Sequence, residues 1–164
     1  MDPVSVSAPL SDAALRRALE DPAITYKSAK PFVPHVRLGR VVKVYDGDTI
    51  TVAAPLYNGE GAPELEMYRF SVRLRGLDSA EMKSKSAAEK ALAVAARDAL
   101  SAKIMGRVVR LEGAEPEKYG RLLCGVVLLP AEGSAEAELD VCAWMLAQNL
   151  AVVYDGGAKT HVWG

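Results

Sequence analysis

The sequence predicts an α+β fold, mainly β, in which five short strands and two main helices follow an N-terminal arm. Short runs of alternating apolar and polar residues are separated by turn residues, which is typical of half-buried strands. An Ala-rich run without helix breakers follows the third of these strands. Half of the 164 residues are hydrophobic and a quarter are charged, so the chain has enough apolar material for one globular core.

Residues 1–36 are predicted to form an arm, and residues 37–164 the compact domain. Ser11 is a suitable N-cap for a short helix, DAALRRALED, that ends near Pro22. The next stretch, KSAKPFVPHV, is interrupted by prolines and is expected to be extended.

Three strands are predicted in the first half of the domain. RLGRVVKVY and TITVAA flank an Asp-Gly pair, which is typical of a hairpin turn in which Gly47 adopts a positive φ. MYRFSVRLRGL is predicted to be the third strand, in which Arg73 and Arg75 lie on one face because side chains alternate.

Two helices and two further strands are predicted in the second half. The helix SAAEKALAVAARDALSAKI should bury a stripe at helical spacing: Ala88, Ala91, Leu92, Ala95, Ala99 and Leu100. The strands RVVRLEG and RLLCGVVLLP precede a second helix, GSAEAELDVCAWMLAQNLA, and Asn149 suits the left-handed residue that ends it. Five short antiparallel strands with a helix after the third fit a five-stranded OB-fold, a partly open Greek-key barrel.

The distribution of charge and the two cysteines indicate what the chain can bind and whether it contains a disulfide. The net charge is −1, but basic residues exceed acidic ones between positions 35 and 110, so a local field can attract an anion. Cys124 and Cys142 lack metal-ligand spacing, and we expect two buried free thiols rather than a bridge.

The sequence shows no signal peptide and no apolar run of about 20 residues, which predicts an intracellular protein without a membrane partner.

Three short segments carry polar residues that a barrel core does not need: DGDT at 46–49, RLRGLDSAE at 73–81 and EKYGR at 117–121. A hard cation such as Ca²⁺ binds several oxygen ligands, and Asp48 and Asp78 could each supply a carboxylate. The planar fork of an arginine binds phosphate through two parallel hydrogen bonds, so Arg73 and Arg121 could hold the two sides of a phosphodiester.

In this order and on these elements, the three segments resemble the staphylococcal nuclease (thermonuclease) family. The resemblance covers roughly residues 37–154. It implies that Asp48, Asp78 and the backbone carbonyl of Ser79 bind Ca²⁺. It also implies that Glu81 is the general base.

The same resemblance assigns the remaining polar residues to the substrate. It implies that Arg73 and Arg121 bind the phosphate undergoing hydrolysis. It implies that Lys118, Tyr119 and Tyr154 line a pocket for a terminal phosphate.

The function implied by this resemblance is a Ca²⁺-dependent nuclease that cleaves the 5′-O–P bond of DNA or RNA and leaves 3′-phosphates. Single-stranded DNA or RNA is the expected substrate. We expect a monomer, with an arm-mediated dimer as the alternative.

The sequence departs from the family pattern in its loops. Ala80 stands where the family has proline, which could loosen the loop that carries Glu81. The connection after Glu81 is shorter than in the founding member, and the connection APLYNGEGAPELE between the second and third strands is longer. The long C-terminal helix of the founding member is absent.

Two other functions fit parts of the sequence. A non-catalytic OB-type module would bind nucleic acid, but it has no reason to carry the carboxylates. A structural Ca²⁺ site could join two strands through Asp48 and Asp78. In that case Arg73 and Arg121 would be unfavourable neighbours of the cation unless an anion lay between them.

Overall fold

The structure is a computed structural model that describes residues 10–56 and 66–163. The chain divides into two compact units, Met1–Phe32 and Val33–Gly164. In the first unit, helix α1 covers Asp12–Leu19. The side chain of Ser11 accepts a hydrogen bond from the amide of Ala14, so the predicted N-cap is confirmed. Most of the long connection 54–66 lies outside the described residues.

The second unit is built from eight strands and two α-helices among its described residues. The strands are β1 (Leu38–Val44), β2 (Thr49–Ala54), β3 (Tyr68–Leu74), β4 (Leu77–Asp78), β5 (Val108–Pro116), β6 (Leu122–Leu128), β7 (Leu139–Asp140) and β8 (Val152–Val153). The helices are α2 (Ala87–Ile104) and α3 (Val141–Ala147). A single 3₁₀ turn, Lys118–Gly120, separates β5 from β6.

Five of these strands form a closed barrel like that of an OB-fold, which confirms the predicted fold class. The strand order is β3-β2-β1-β5-β6, and pairing of β3 with β6 closes the barrel. The closing pair is parallel, with Val72 opposite Leu122, whereas the sequence predicted five antiparallel strands. The alternation of apolar and polar residues along a strand does not indicate whether the neighbouring strand runs parallel or antiparallel to it.

Apolar side chains from the strands and helices fill one core. Val41, Ile50 and Val72 of the barrel are fully buried, and Leu100 of α2 and Met145 of α3 belong to the same cluster. Fully burying a side chain of this size contributes about 1.5–3 kcal/mol. The core therefore holds α2 and α3 against the barrel.

The prediction of which face of α2 is buried was wrong. The helix buries Ala93, Ala96, Leu100 and Ile104, and only Leu100 of these was predicted. Alanine occupies so many positions of this helix that apolar residues recur on every face. The sequence therefore indicates a helix here without indicating which side faces the core.

The third strand and the second helix are shorter than predicted. The strand expected over 67–77 ends at Leu74, because Gly76 adopts φ +82° in a turn before β4. The helix expected over 133–151 begins only after Asp140, whose side chain caps the amide of Ala143. Asn149 adopts φ 55°, as predicted for the residue after the helix.

Both cysteines are free thiols, as predicted. Cys124 is fully buried and Cys142 is half-buried. Burial raises the pKa of Cys124 to about 11, so its thiol is protonated at neutral pH. In the described ranges, no helix has the length and apolar character needed to cross a membrane.

Candidate functional site

The candidate site lies where the β1–β2 turn approaches the segment that follows β4. A Cβ atom added to Gly47 would lie 2.8 Å from Cβ of Ser79 and 2.9 Å from Cβ of Ala96. Gly47 is not among the glycines with a positive φ, so the sequence prediction was wrong about why glycine is needed. Glycine is required because the turn touches Ser79 and helix α2.

Asp48 is buried and held by three neighbours. Its Oδ1 atom accepts a hydrogen bond from Thr49 Oγ1 at 2.8 Å and pairs with Arg73 Nη1 at 2.7 Å. Its Oδ2 atom accepts from the amide of Ser79 at 3.2 Å. Burial alone would raise the pKa of Asp48, but the charge of Arg73 and these hydrogen bonds lower it below its usual value. The carboxylate is therefore charged at neutral pH.

Arg73 joins the two predicted metal carboxylates. Its Nη2 atom lies 3.2 Å from Asp78 Oδ1 and donates to the carbonyl of Leu77 at 3.3 Å. The side chains of Arg73, Asp48 and Asp78 are only 11%, 8% and 6% exposed. Arg73 was predicted as a phosphate ligand, and in this structure both of its terminal nitrogens contact carboxylates.

Asp46 adds a third carboxyl group beside this pair. Its Oδ1 atom accepts a hydrogen bond from the amide of Asp48 at 3.1 Å, which is the turn role that the sequence indicated. Burial, together with the charge of Asp48, raises the pKa of Asp46 to about 6. The sequence did not place Asp46 at the site, although two aspartates separated by one residue are a usable signal for oxygen ligands.

The residues around Asp48 fit a hard cation. Asp48 and Asp78 offer carboxylate oxygens, which Ca²⁺ prefers. The hydroxyl of Ser79 is buried without a hydrogen-bond partner in the part of the chain that the structure describes. Among those same residues no three His, Cys, Asp or Glu side chains form a metal-binding group. A cation here would therefore need ligands in addition to Asp48 and Asp78, and the predicted set adds the backbone carbonyl of Ser79.

Glu81 lies at the solvent edge of the site, with its side chain 60% exposed. It pairs with Lys159, whose Nζ atom lies 3.0 Å from Glu81 Oε1 and 3.0 Å from Asp78 Oδ1. The sequence prediction missed Lys159. It lies 78 residues from Glu81 in a short segment whose sequence has no regular pattern, so nothing indicated that the two residues meet.

The loop that carries Glu81 is fixed to the start of α2. The amide of Glu81 donates to Glu89 Oε1 at 3.2 Å, and the hydroxyl of Ser84 donates to Glu89 Oε2. Ser86 caps the helix by accepting a hydrogen bond from the amide of Glu89 at 3.3 Å. Glu89 thus connects the helix cap to the backbone of the candidate base.

We expect Glu89→Gln to lower the melting temperature, and the loss to shrink at acid pH. Hydrogen bonds from Ser84 and from the Glu81 amide lower the pKa of Glu89 below its usual value. A lowered pKa stabilises the fold above the unfolded value and the effect disappears as pH falls through the folded value. Thermal unfolding of both proteins between pH 6 and pH 3 measures the difference, with Glu132→Gln as a charge-matched control. A difference that stays constant across this range would contradict the role of the charge.

Arg121, Lys118 and Tyr119 lie on the turn between β5 and β6. Arg121 forms two hydrogen bonds to Glu117, from Nε at 2.6 Å and from Nη2 at 3.0 Å. Tyr119 adopts φ 63°, which is uncommon for a bulky residue, and its ring is almost fully exposed 6.0 Å from Arg121 Cζ. The turn therefore presents an aromatic ring beside a guanidinium group.

Two pockets include most of the predicted residues, and Arg73, Arg121 and Lys159 line both. The smaller, of about 260 Å³, is also lined by Asp48, Ser79 and Glu81. The larger, of about 580 Å³, is also lined by Lys118 and Tyr154. The ring of Tyr154 lies 5.7 Å from Arg73 Cζ.

Two predicted residues lie at the margins of these pockets. Asp78 lines a third pocket together with Tyr154 and Lys159, while its carboxylate contacts Arg73. Tyr119 is not among the lining residues and reaches the site only through Arg121. The fold thus brings the nine predicted residues into one region.

Comparisons with known proteins do not identify the chain. No known family model matches it, and no curated protein matches it either.

Proposed function

We propose that this chain is a Ca²⁺-dependent nuclease of the thermonuclease type that hydrolyses phosphodiester bonds of DNA or RNA. One observation carries the proposal. Two buried carboxylates, an exposed glutamate and two arginines surround adjoining pockets at one region of an OB-like barrel. The 5′-O–P cleavage and 3′-phosphate products follow from the sequence resemblance.

In this proposal, Asp48, Asp78 and the Ser79 carbonyl hold the cation. Bound Ca²⁺ would supply positive charge against a non-bridging phosphate oxygen. The supporting observation is that the donor set consists of oxygens and that the Ser79 hydroxyl is buried without a partner among the described residues. The adjacent carboxyl of Asp46 adds to the negative charge that would attract the cation.

Glu81 is the proposed general base. Its exposure lets an attacking water reach the carboxylate, and its loop is fixed through Glu89. A general base contributes typically 10²–10⁴-fold, or roughly 3–5 kcal/mol. Enzymatic hydrolysis of phosphate esters requires on the order of 20 kcal/mol of barrier reduction, so Glu81 cannot act alone.

Arg121 and Arg73 are the proposed phosphate ligands. Arg121 is on the boundary of both pockets, where its guanidinium group could stabilise charge that develops on the phosphate. Its pairing with Glu117 fixes the orientation of the guanidinium plane. Arg73 would share its charge between the phosphate and the two aspartates.

Single-stranded nucleic acid is the proposed substrate. The exposed ring of Tyr119 offers a face on which an unpaired base could stack, and the positive charges of Lys118 and Arg121 lie near it. Stacking on aromatic rings does not depend strongly on sequence. The site is contained in the second unit, so we propose a protein that acts as a monomer.

The proposal is tested with labelled single-stranded DNA and RNA oligonucleotides, incubated with Ca²⁺ or with EDTA. We expect cleavage only with Ca²⁺. The product ends should be extended by a polymerase only after phosphatase treatment, because they carry 3′-phosphates. Asp48→Asn, which keeps the shape of the side chain, should abolish Ca²⁺-dependent cleavage. Strand binding without cleavage would contradict the nuclease and support the non-catalytic OB-type module.

A further inference from the structure

Lys159 occupies the position between a proposed cation ligand and the proposed base. Its ammonium nitrogen lies 3.0 Å from Asp78 Oδ1 and 3.0 Å from Glu81 Oε1. Lysine carries a compact positive charge with three hydrogen-bond donors, so it can contact two carboxylates at once. The carboxylates of the site thus pair with Arg73 on the buried side and with Lys159 on the exposed side.

The two counter-ions differ in how easily they can leave. The Arg73 side chain is 11% exposed, and its planar fork contacts Asp48, Asp78 and the Leu77 carbonyl. The Lys159 side chain is 46% exposed on a flexible four-carbon stem, and of its two partners Asp78 is buried and Glu81 is exposed. Displacing Lys159 leaves Asp78 paired with Arg73 and Glu81 open to water, whereas displacing Arg73 would leave the buried Asp48 without its one ion-pair partner among the described residues.

We infer that Lys159 is an exchangeable counter-ion that competes with the divalent cation for Asp78 and holds Glu81 in an ion pair until the cation enters. This inference rests on the cation site of the proposed function. Lys159 also lines the larger pocket beside Arg121 and Lys118. Once displaced, its charge remains close enough to attract a phosphate, so cation entry and anion binding favour each other.

Calorimetric titration with CaCl₂ alone, without nucleic acid, tests the inference. The proteins are the wild type, Lys159→Met, Lys159→Arg and Lys83→Met. We expect Lys159→Met to bind Ca²⁺ roughly three- to fivefold more tightly, the scale of one half-exposed ion pair. Lys159→Arg keeps the charge and should stay near the wild type.

Lys83 provides the matched control. It lines the same 260 Å³ pocket, is exposed, and forms no ion pair with the carboxylates of the described residues. Lys83→Met therefore removes one positive charge near the site without releasing Asp78 or Glu81. A gain in affinity equal to that of Lys159→Met would show a general effect of charge and would overturn the inference.

The remaining outcomes separate this inference from the proposed function. Wild-type binding with no gain in Lys159→Met overturns the role of Lys159 and leaves the nuclease proposal intact. Absence of Ca²⁺ binding in all four proteins overturns both, because no cation site would then exist. Thermal unfolding without Ca²⁺ verifies that each variant is folded, and Lys159→Gln replaces Lys159→Met if the latter is not.

Discussion

Glu81→Gln should lower turnover on single-stranded DNA by about 10²–10⁴-fold, the range lost when a general base is removed. Glutamine keeps the size and hydrogen bonding of the side chain but cannot take a proton from water. The expected change in the free energy of unfolding is below about 1 kcal/mol, because only a surface ion pair with Lys159 is lost. A large loss of turnover with an intact fold is the signature of a group that acts in the reaction.

The measurement is single-turnover cleavage with saturating Ca²⁺, combined with urea unfolding of the same preparations. Glu136→Gln is a matched control, because Glu136 is a comparably exposed glutamate that pairs with Arg107 and does not line the described pockets. Near-normal turnover in Glu81→Gln would remove Glu81 as the base. A comparable loss in Glu136→Gln would point to a general effect of charge on strand binding.

The barrel could be predicted from the sequence because its signals are local. Each strand alternates over a few residues, and turn residues separate the strands, so the order of elements follows without knowledge of partners. The parallel closure of β3 on β6 depends on contacts between residues that are 50 positions apart in the sequence, and no local pattern encodes it. The buried face of α2 could not be predicted either, because alanine at eight of its 18 positions places apolar residues on every face.

Some residues of the candidate site could likewise be predicted from the sequence, and others could not. Asp48, Asp78 and Glu81 lie in short segments whose composition is unusual for a barrel, so they could be found from the sequence. Lys159 could not be found from the sequence, because only its short distances to Asp78 and Glu81 in the folded chain connect it with the site. The role of Gly47 was also inaccessible, since its close approach to Ser79 exists only in the folded chain.

Arg73→Ala should destabilise the Ca²⁺-free protein by about 3–5 kcal/mol, the cost of leaving buried charges without their partner. Asp48 and Asp78 are nearly inaccessible to water, so solvent cannot replace the guanidinium group. Added Ca²⁺ should restore part of this stability, because a cation between the aspartates supplies the missing charge. Urea unfolding in EDTA and in Ca²⁺ measures both effects.

Arg121→Ala provides the comparison for this experiment. Arg121 pairs with Glu117, and the two side chains are 25% and 18% exposed, so water can partly solvate the carboxylate that remains. We expect a smaller loss of stability than for Arg73→Ala, no restoration by Ca²⁺, and a large loss of turnover. Equal destabilisation of the two variants, with no response to Ca²⁺ in either, would contradict the assignment of Asp48 and Asp78 as cation ligands.

The contrast between the two arginines explains why the site needs both. While Arg73 pairs with both Asp48 and Asp78, both of its terminal nitrogens are engaged and little of its charge is available to a phosphate. Arg121 lines the pockets and forms its two side-chain hydrogen bonds to one carboxylate, that of Glu117. Substitution of Arg121 should therefore weaken strand binding equally in EDTA and in Ca²⁺, whereas Arg73 should contribute to strand binding only when Ca²⁺ shares its carboxylates. Filter binding of a single-stranded oligonucleotide to each variant, in the Glu81→Gln background to prevent cleavage, distinguishes the two roles.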